Sequence, residues 1–361
     1  MIKIYEPKIT NEDISFVTET LKKGWLSGNT PVIKDFEEAL ANYLGIKYVS
    51  SCSSGTAALH LSLLGLGIGP GDEVIMPSLS YIATANAVSY VGATPVFIDV
   101  DISTWQIDHR LVEKKITKNT KAIMPVHLYG GVPDLKSIQK IAKKYKVKII
   151  HDSAEALGSK YNNQNSTNFN DVSILSFFPN KVITTGEGGA VCTNNKKLYD
   201  SIEKFKSHSL KGSVEYLHSD IGYNYRMSSM SASIGFPQIK RIDDYVSKKK
   251  LLYEEYKTEL EPIGFEFQNF DSASESSYWL IATKVPKNIS RNKLKKYLFN
   301  NQVETRNVFI PLHLQPPYKH LLNNDSFENS IEISNRGICL PSSPGLNKKD
   351  FNFVVNTIKN F

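Results

Sequence analysis

A chain of 361 residues, 41% hydrophobic and 22% charged, has the apolar content to bury a large core and none of the bias of a disordered or fibrous class. Its formal charge of +7 is spread along amphipathic segments such as 138–148 and 247–257, without a basic arm or zinc knuckle, which argues against nucleic acid as the partner. Three scattered cysteines argue against a disulfide framework or a metal site, and no apolar run approaches the ~18–20 residues of a membrane span.

The opening residues MIKIYEPKIT lack the basic-then-apolar pattern of a signal peptide, so a cytoplasmic protein is expected. A helix is predicted over Asn11–Lys22, then Gly24-Trp25-Leu26-Ser27-Gly28, where the tryptophan is either a lid over a pocket or a packing plug. An amphipathic helix over Lys34–Leu44 ends before Gly45. The strand Tyr48–Ser51 then runs through Ser53-Ser54-Gly55-Thr56 into an apolar helix, Ala57–Leu66. Free amides and a hydroxyl at the positive end of a helix dipole suit a phosphate, although serine and threonine are also ordinary N-caps.

The alternation continues with strands at Glu73–Met76, Pro95–Val100, Lys121–Val126 and Val147–His151. Helices at Tyr81–Tyr90, His109–Ile116 and Leu135–Tyr145 separate them. Such a rhythm implies right-handed crossovers and a mainly parallel sheet covered on both faces, hence an α/β fold. Ligands in these sheets sit at the carboxyl ends of the strands. There the polar residues collect: Ser53–Thr56, Ser80 and Tyr81, His127, Asp152 with Glu155, Ser176 and Lys181. Asp152 ends the run VKIIHD, where a carboxylate needs a cation or good hydrogen bonds, unless it merely caps the next helix.

The segment DVSILSFFPNKVITTGEGGA is predicted as a short buried strand stopped by Pro179 and Asn180, with Lys181 and a glycine-rich turn directly after it. A lysine at a strand end, beside backbone that can approach a ligand, suits covalent chemistry at its amine. Beyond Val191 follow a helix over Lys196–Phe205, a polar loop over Ser207–Asp220, and a long helix over Pro237–Tyr256. A strand over Ser277–Thr283 and helices over Lys293–Asn300 and about Lys348–Lys359 complete the chain. The expected division is a large domain over residues 1–240 and a smaller α+β domain over 241–361, with the N-terminal segment packing on the small one.

A lysine, an aspartate and a phosphate-binding turn at neighbouring strand ends are the parts that hold pyridoxal 5'-phosphate (PLP). With SCSSGTAALHLSLLGLGIGPGDEV, PVHLYG, HDSAEALGS, SFFPNKVITTGEGG, GYNYRM, SSYWL and TRNVFIPLHLQPPY in this order, the chain resembles the DegT/DnrJ/EryC1/StrS sugar aminotransferases, of the aspartate-aminotransferase type I fold. The resemblance implies that Lys181 carries the cofactor, that Asp152 partners its pyridine nitrogen, and that Glu155 faces the reacting sugar. It assigns Tyr81 to stacking, Gly55, Thr56 and Ser176 to the phosphate, and Asn224 to the phosphate of a neighbouring subunit, which implies a homodimer with shared active sites. Trp25, Ser27, Arg306 and His313 fall in segments used near the sugar nucleotide, and for Arg306 and His313 a structural role is an equal reading.

Within the family the chain is most like enzymes that aminate C4 of a GDP-linked 4-keto-6-deoxy sugar with L-glutamate as donor, for surface polysaccharide. UDP- or dTDP-linked substrates, and amination at C3, would use the same parts. The intact lysine points to transamination, and with Asp152 and Glu155 it argues against a PLP-binding regulator. Two departures from the family stand out. Thr167-Asn168-Phe169-Asn170 replaces a glycine-bearing loop, where asparagine can supply left-handed backbone. His151 replaces a glutamate.

Overall fold

The computed structural model describes residues 1–210, 215–322 and 325–361; part of the predicted polar loop 207–220 lies outside them. Helix α1 (Asn11–Lys22) starts at Thr10, whose side chain and that of Asp13 cap each other's amides. Helix α2 (Pro31–Leu44) has proline in its first turn and stops at Gly45, which takes left-handed backbone at φ +68°. Strand β1 (Tyr48–Cys52) leads into α3 (Gly55–Gly65), with seven consecutive buried residues from Ala57 to Leu63. This helix therefore runs through the middle of the domain.

Next come β2 (Glu73–Pro77), α4 (Ala83–Tyr90), β3 (Thr94–Ile98), the single turn α5 (His109–Val112), β4 (Thr120–Ile123), α6 (Leu135–Tyr145) and β5 (Lys148–Asp152). A small hairpin, β6 (Lys160–Tyr161) and β7 (Gln164–Asn165), precedes β8 (Val172–Ser176) and β9 (Gly189–Thr193). Seven strands form one sheet in the order β1-β9-β8-β5-β4-β2-β3. Six run parallel and β9 runs antiparallel to both its neighbours. Val74 and Met76 pack with α3 and α4 on one face, while Ile75 joins Ile123, Ile138 and Ile149 under α6 on the other. Cover on both faces is why these strands read as unbroken apolar runs.

After α7 (Lys196–Lys206) and α8 (Ser229–Gly235), residues Phe236–Arg241 form a 3₁₀ turn, and α9 (Ile242–Leu260) begins only after it. The long helix predicted from Pro237 starts five residues later, because the residues before it take the tighter 3₁₀ hydrogen-bonding pattern. The remainder is β10 (Glu266–Phe267), β11 (Ser274–Glu275), β12 (Ile281–Lys284), α10 (Arg291–Asn300), β13 (Arg306–Asn307), α11 (Glu328–Arg336), β14 (Gly337–Leu340) and α12 (Lys348–Lys359). Four of these strands form a second sheet, β10-β12-β14-β13, with its own core of Tyr256, Leu294, Val354 and their neighbours. The predicted strand 277–283 begins only at Ile281, because Tyr278 adopts left-handed backbone at φ 52°.

Residues 2–6 lie against this second unit: Ile2 pairs with Val303, and the Ser342 amide donates to the Ile4 carbonyl. Among the described residues no helix is long and apolar enough to cross a membrane.

Candidate active site

Because β1, β5 and β8 are parallel, the turns that follow them meet at one edge of the sheet, around a cavity of about 430 Å³. That volume suits a small organic ligand. From β1 come Ser54, Gly55 and Thr56; from β5, Asp152 and Glu155; from β8, Ser176 and Lys181. Tyr81 enters after β2, half-exposed, with its ring 5.7 Å from Phe309. Arg306 reaches in from β13.

At the first turn of α3 the Ser54 hydroxyl accepts from the Ala57 amide at 3.1 Å, which leaves the Gly55 and Thr56 amides to the cavity. Glycine is needed on both sides of this turn. A Cβ on Gly55 would lie 3.0 Å from the Ser176 Cβ, and one on Gly189 would lie 2.5 Å from the Ser54 carbonyl. The turn and the strand end are thus pressed into one cradle, with the Thr56 and Ser176 side chains at its rim.

Asp152 is 5% exposed and accepts from Thr84 Oγ1 at 2.7 Å and from the Ala154 amide at 3.2 Å. Burial raises its pKa, the two hydrogen bonds opposing this, and no cation among the described residues forms an ion pair with it. A buried carboxylate held in this way lacks only a positively charged partner.

The Lys181 amine lies 3.7 Å from Glu155 Oε1 and 3.6 Å above the centre of the Trp279 ring. Burial lowers its pKa, with Glu155 and Asp152 opposing. Burial raises that of Glu155, against the pull of Lys181 and of the Tyr129 amide, which donates to Glu155 Oε2 at 2.8 Å. The two groups are thus moved toward each other, which favours passing a proton between them at neutral pH. Trp279, Tyr129 and Phe309 stack as a wall beside them, with centroids 5.5–6.4 Å apart.

Lysine amine, uncompensated carboxylate, free helix amides and a cavity of this size fit PLP. Lys181 would hold its aldehyde, Asp152 would meet its pyridine nitrogen, and the first turn of α3 would take its phosphate.

Three predicted residues stand elsewhere. Trp25 packs half-buried against the apolar cluster of Phe36 and Met227. Ser27 gives its carbonyl to the Ser229 amide at 3.2 Å. His313 is 2% exposed, bonded to Ser78 Oγ at 2.5 Å and stacked on Phe327 at 4.1 Å. None of them lines the cavity. Asn224 does not line it either and is exposed, paired with Ser207. The 167–170 loop also lies away from it, with the Asn168 amide on the Leu44 and Gly45 carbonyls. Left-handed backbone falls instead at Asn162 and Asn163.

His127, behind the cavity, is fully buried and bonded to His151 at 3.2 Å. Burial lowers the pKa of both, His151 to about 3, so the pair is neutral. Thr84, Tyr129, Trp279 and Phe309 are site residues that sequence reasoning did not single out. Three of them sit in the quoted segments PVHLYG, SSYWL and TRNVFIP, but nothing local in those segments says that they face a lysine.

The chain matches the DegT/DnrJ/EryC1/StrS aminotransferase family over residues 7–359. The GDP-perosamine synthase of Escherichia coli O157:H7 is 40% identical over 360 residues, covering 100% of this chain and 98% of the relative. That of Vibrio cholerae is 36% identical, covering 100% and 99%. Among solved structures, the PLP form of Spr1654 from Streptococcus pneumoniae superposes with a TM-score of 0.93 at 30% identity, covering 99% of this chain and 97% of that one.

Proposed function

The chain belongs to the DegT/DnrJ/EryC1/StrS aminotransferase family, and from that premise we propose that it aminates C4 of a GDP-linked 4-keto-6-deoxy sugar, giving GDP-perosamine, with L-glutamate as amino donor. The full-length likeness to GDP-perosamine synthases supports the sugar. The chemistry rests on one observation: a nearly buried amine at Lys181, its pKa lowered by burial, shares a cavity with a carboxylate that lacks a cation.

PLP, when bound, supplies an aldehyde that links to amines and a ring that accepts the electron pair left when a proton departs from carbon. Asp152, fixed by Thr84 and Ala154, would keep the pyridine nitrogen protonated. The Gly55 and Thr56 amides with Ser176 would hold the phosphate, and Tyr81 would cover the ring. Lys181, once free, carries the proton to and from the carbon bearing nitrogen, and burial keeps a share of its amine uncharged for that task. Glu155 takes up or returns the lysine's proton. The aromatic wall of Trp279, Tyr129 and Phe309 limits water beside the amine. Arg306, whose nearest carboxylate is Glu304 at 4.0 Å, is left to meet the anionic nucleotide.

Exposed Asn224 serves the phosphate of a second copy, and nearby Tyr216 and Ile221, 82% and 85% exposed, would be covered by that copy. The enzyme on this reading is a homodimer with shared sites. Incubation with L-glutamate and a panel of GDP-, UDP- and dTDP-4-keto-6-deoxy sugars tests the assignment. Preferred conversion of the GDP sugar to its 4-amino derivative, read by mass and NMR, is the expected result, whereas no turnover of any 4-keto sugar contradicts it.

A further inference from the structure

Lys249, on α9, is 0% exposed, yet among the described residues no carboxylate pairs with it. A buried amine without a counter-ion is costly whenever it carries a proton, and is retained only where its donors have a place to go. Two of them go to main-chain carbonyls, Trp279 at 2.9 Å and Ser342 at 2.7 Å. The third direction is open to the ring of Tyr5, whose centre lies 4.7 Å from the nitrogen. One amine thus joins the N-terminal segment, the strand region before β12 and the turn after β14.

Two of these three partners hold the reactive lysine. Tyr5 Oη donates to the Lys181 carbonyl at 2.7 Å. Trp279 Nε1 donates to the Asn180 carbonyl at 2.7 Å, while the face of the same indole lies under the Lys181 amine. The peptide units on both sides of the Lys181 Cα thus accept hydrogen bonds from the side chains of two residues that Lys249 touches, Tyr5 at its ring and Trp279 at its carbonyl.

We propose that Lys249 is a positioning residue for Lys181: it clamps Tyr5 and the Trp279 main chain together, and through their side chains fixes the backbone and the resting place of the reactive amine. The proposal rests on the reading of Lys181 as that amine. Without the clamp the amine swings off the indole face into solvent, loses the burial that lowers its pKa, and becomes a poorer nucleophile and base.

The test compares Lys249→Met and Lys249→Arg with the unchanged full-length enzyme and with Lys181→Ala. Lys249→Met is expected to lower kcat about 10- to 100-fold, the cost of a misplaced reacting group, with KM for both substrates held within about twofold. Lys249→Arg, which offers donors to both carbonyls, restores most of the loss. In the cofactor-free protein, competitive acetylation at pH 7, read by mass spectrometry, slows several-fold at Lys181 in Lys249→Met and is unchanged at exposed Lys34. Lys181 acetylation and kcat both at the unchanged enzyme's values in Lys249→Met overturn the proposal, as does an arginine variant no better than methionine. If Lys249→Met does not fold, Tyr5→Phe removes one hydroxyl of the same link, and undiminished Lys181 acetylation there overturns it equally. Activity persisting in Lys181→Ala would instead defeat the reading of Lys181 itself.

Discussion

Lys249 is a buried amine and Lys181 a nearly buried one, but only Lys181 has a carboxylate within reach. For Lys249 burial alone pulls the pKa from 10.5 to about 7. Between those values the unfolded chain holds a proton that the folded chain has released, so this group's contribution to stability rises with pH across the window and is lost as pH falls through about 7. The melting temperature of the unchanged protein relative to Lys249→Met should therefore climb between pH 7 and pH 10; parallel profiles would show that Lys249 is not buried as described. Asp152→Asn preserves shape and removes the charge. Breaking a buried ion pair costs about 3–5 kcal/mol, so kcat/KM should fall about 10²-fold or more, with the melting temperature of the cofactor-free protein unchanged or raised, since no cation there loses a partner. A loss below tenfold would argue that Asp152 does not face the ring nitrogen. His151 illustrates a limit of reading one sequence. It replaces a family glutamate, and its partner His127 lies in another segment, so the neutral pair they form became visible only when β4 and β5 were side by side.

Elements with a strong period and a clear cap stood out in the sequence: α1, α6 and α12 begin and end at the predicted residues. β9 was not expected, because Gly189-Ala190-Val191-Cys192-Thr193 directly follows a glycine turn; pairing with β1 and β8 on both sides makes it a strand. The ends of β1, β5 and β8 carried Gly55, Thr56, Asp152, Glu155, Ser176 and Lys181 to one cavity, as parallel topology requires. The small-unit wall escaped notice because Trp279 and Phe309 approach Lys181 only through packing between the two sheets, which no local pattern encodes. The meeting of α3 with the strand ends makes a prediction at this scale. Gly189→Ala puts a methyl group into the Ser54 backbone and should cost about 1–3 kcal/mol of stability along with cofactor affinity. Equal melting temperature and equal PLP affinity in that variant would contradict the close approach.

For the whole molecule, the cavity of one chain contains Lys181 but not Asn224, so the shared-site reading requires two copies. Lys181→Ala and an Asn224→Ala variant, each weakened alone, should regain activity when refolded together, since a mixed dimer rebuilds one intact site; no recovery in a mixture shown to contain mixed dimers would sink the shared site. Every step assigned to this enzyme passes through a single amine at the end of β8. Reduction of the PLP-loaded protein with borohydride, followed by peptide mapping, reads that amine directly. The account predicts one phosphopyridoxyl group per chain, fixed to Lys181; a label on another lysine, or no label at all, would contradict it.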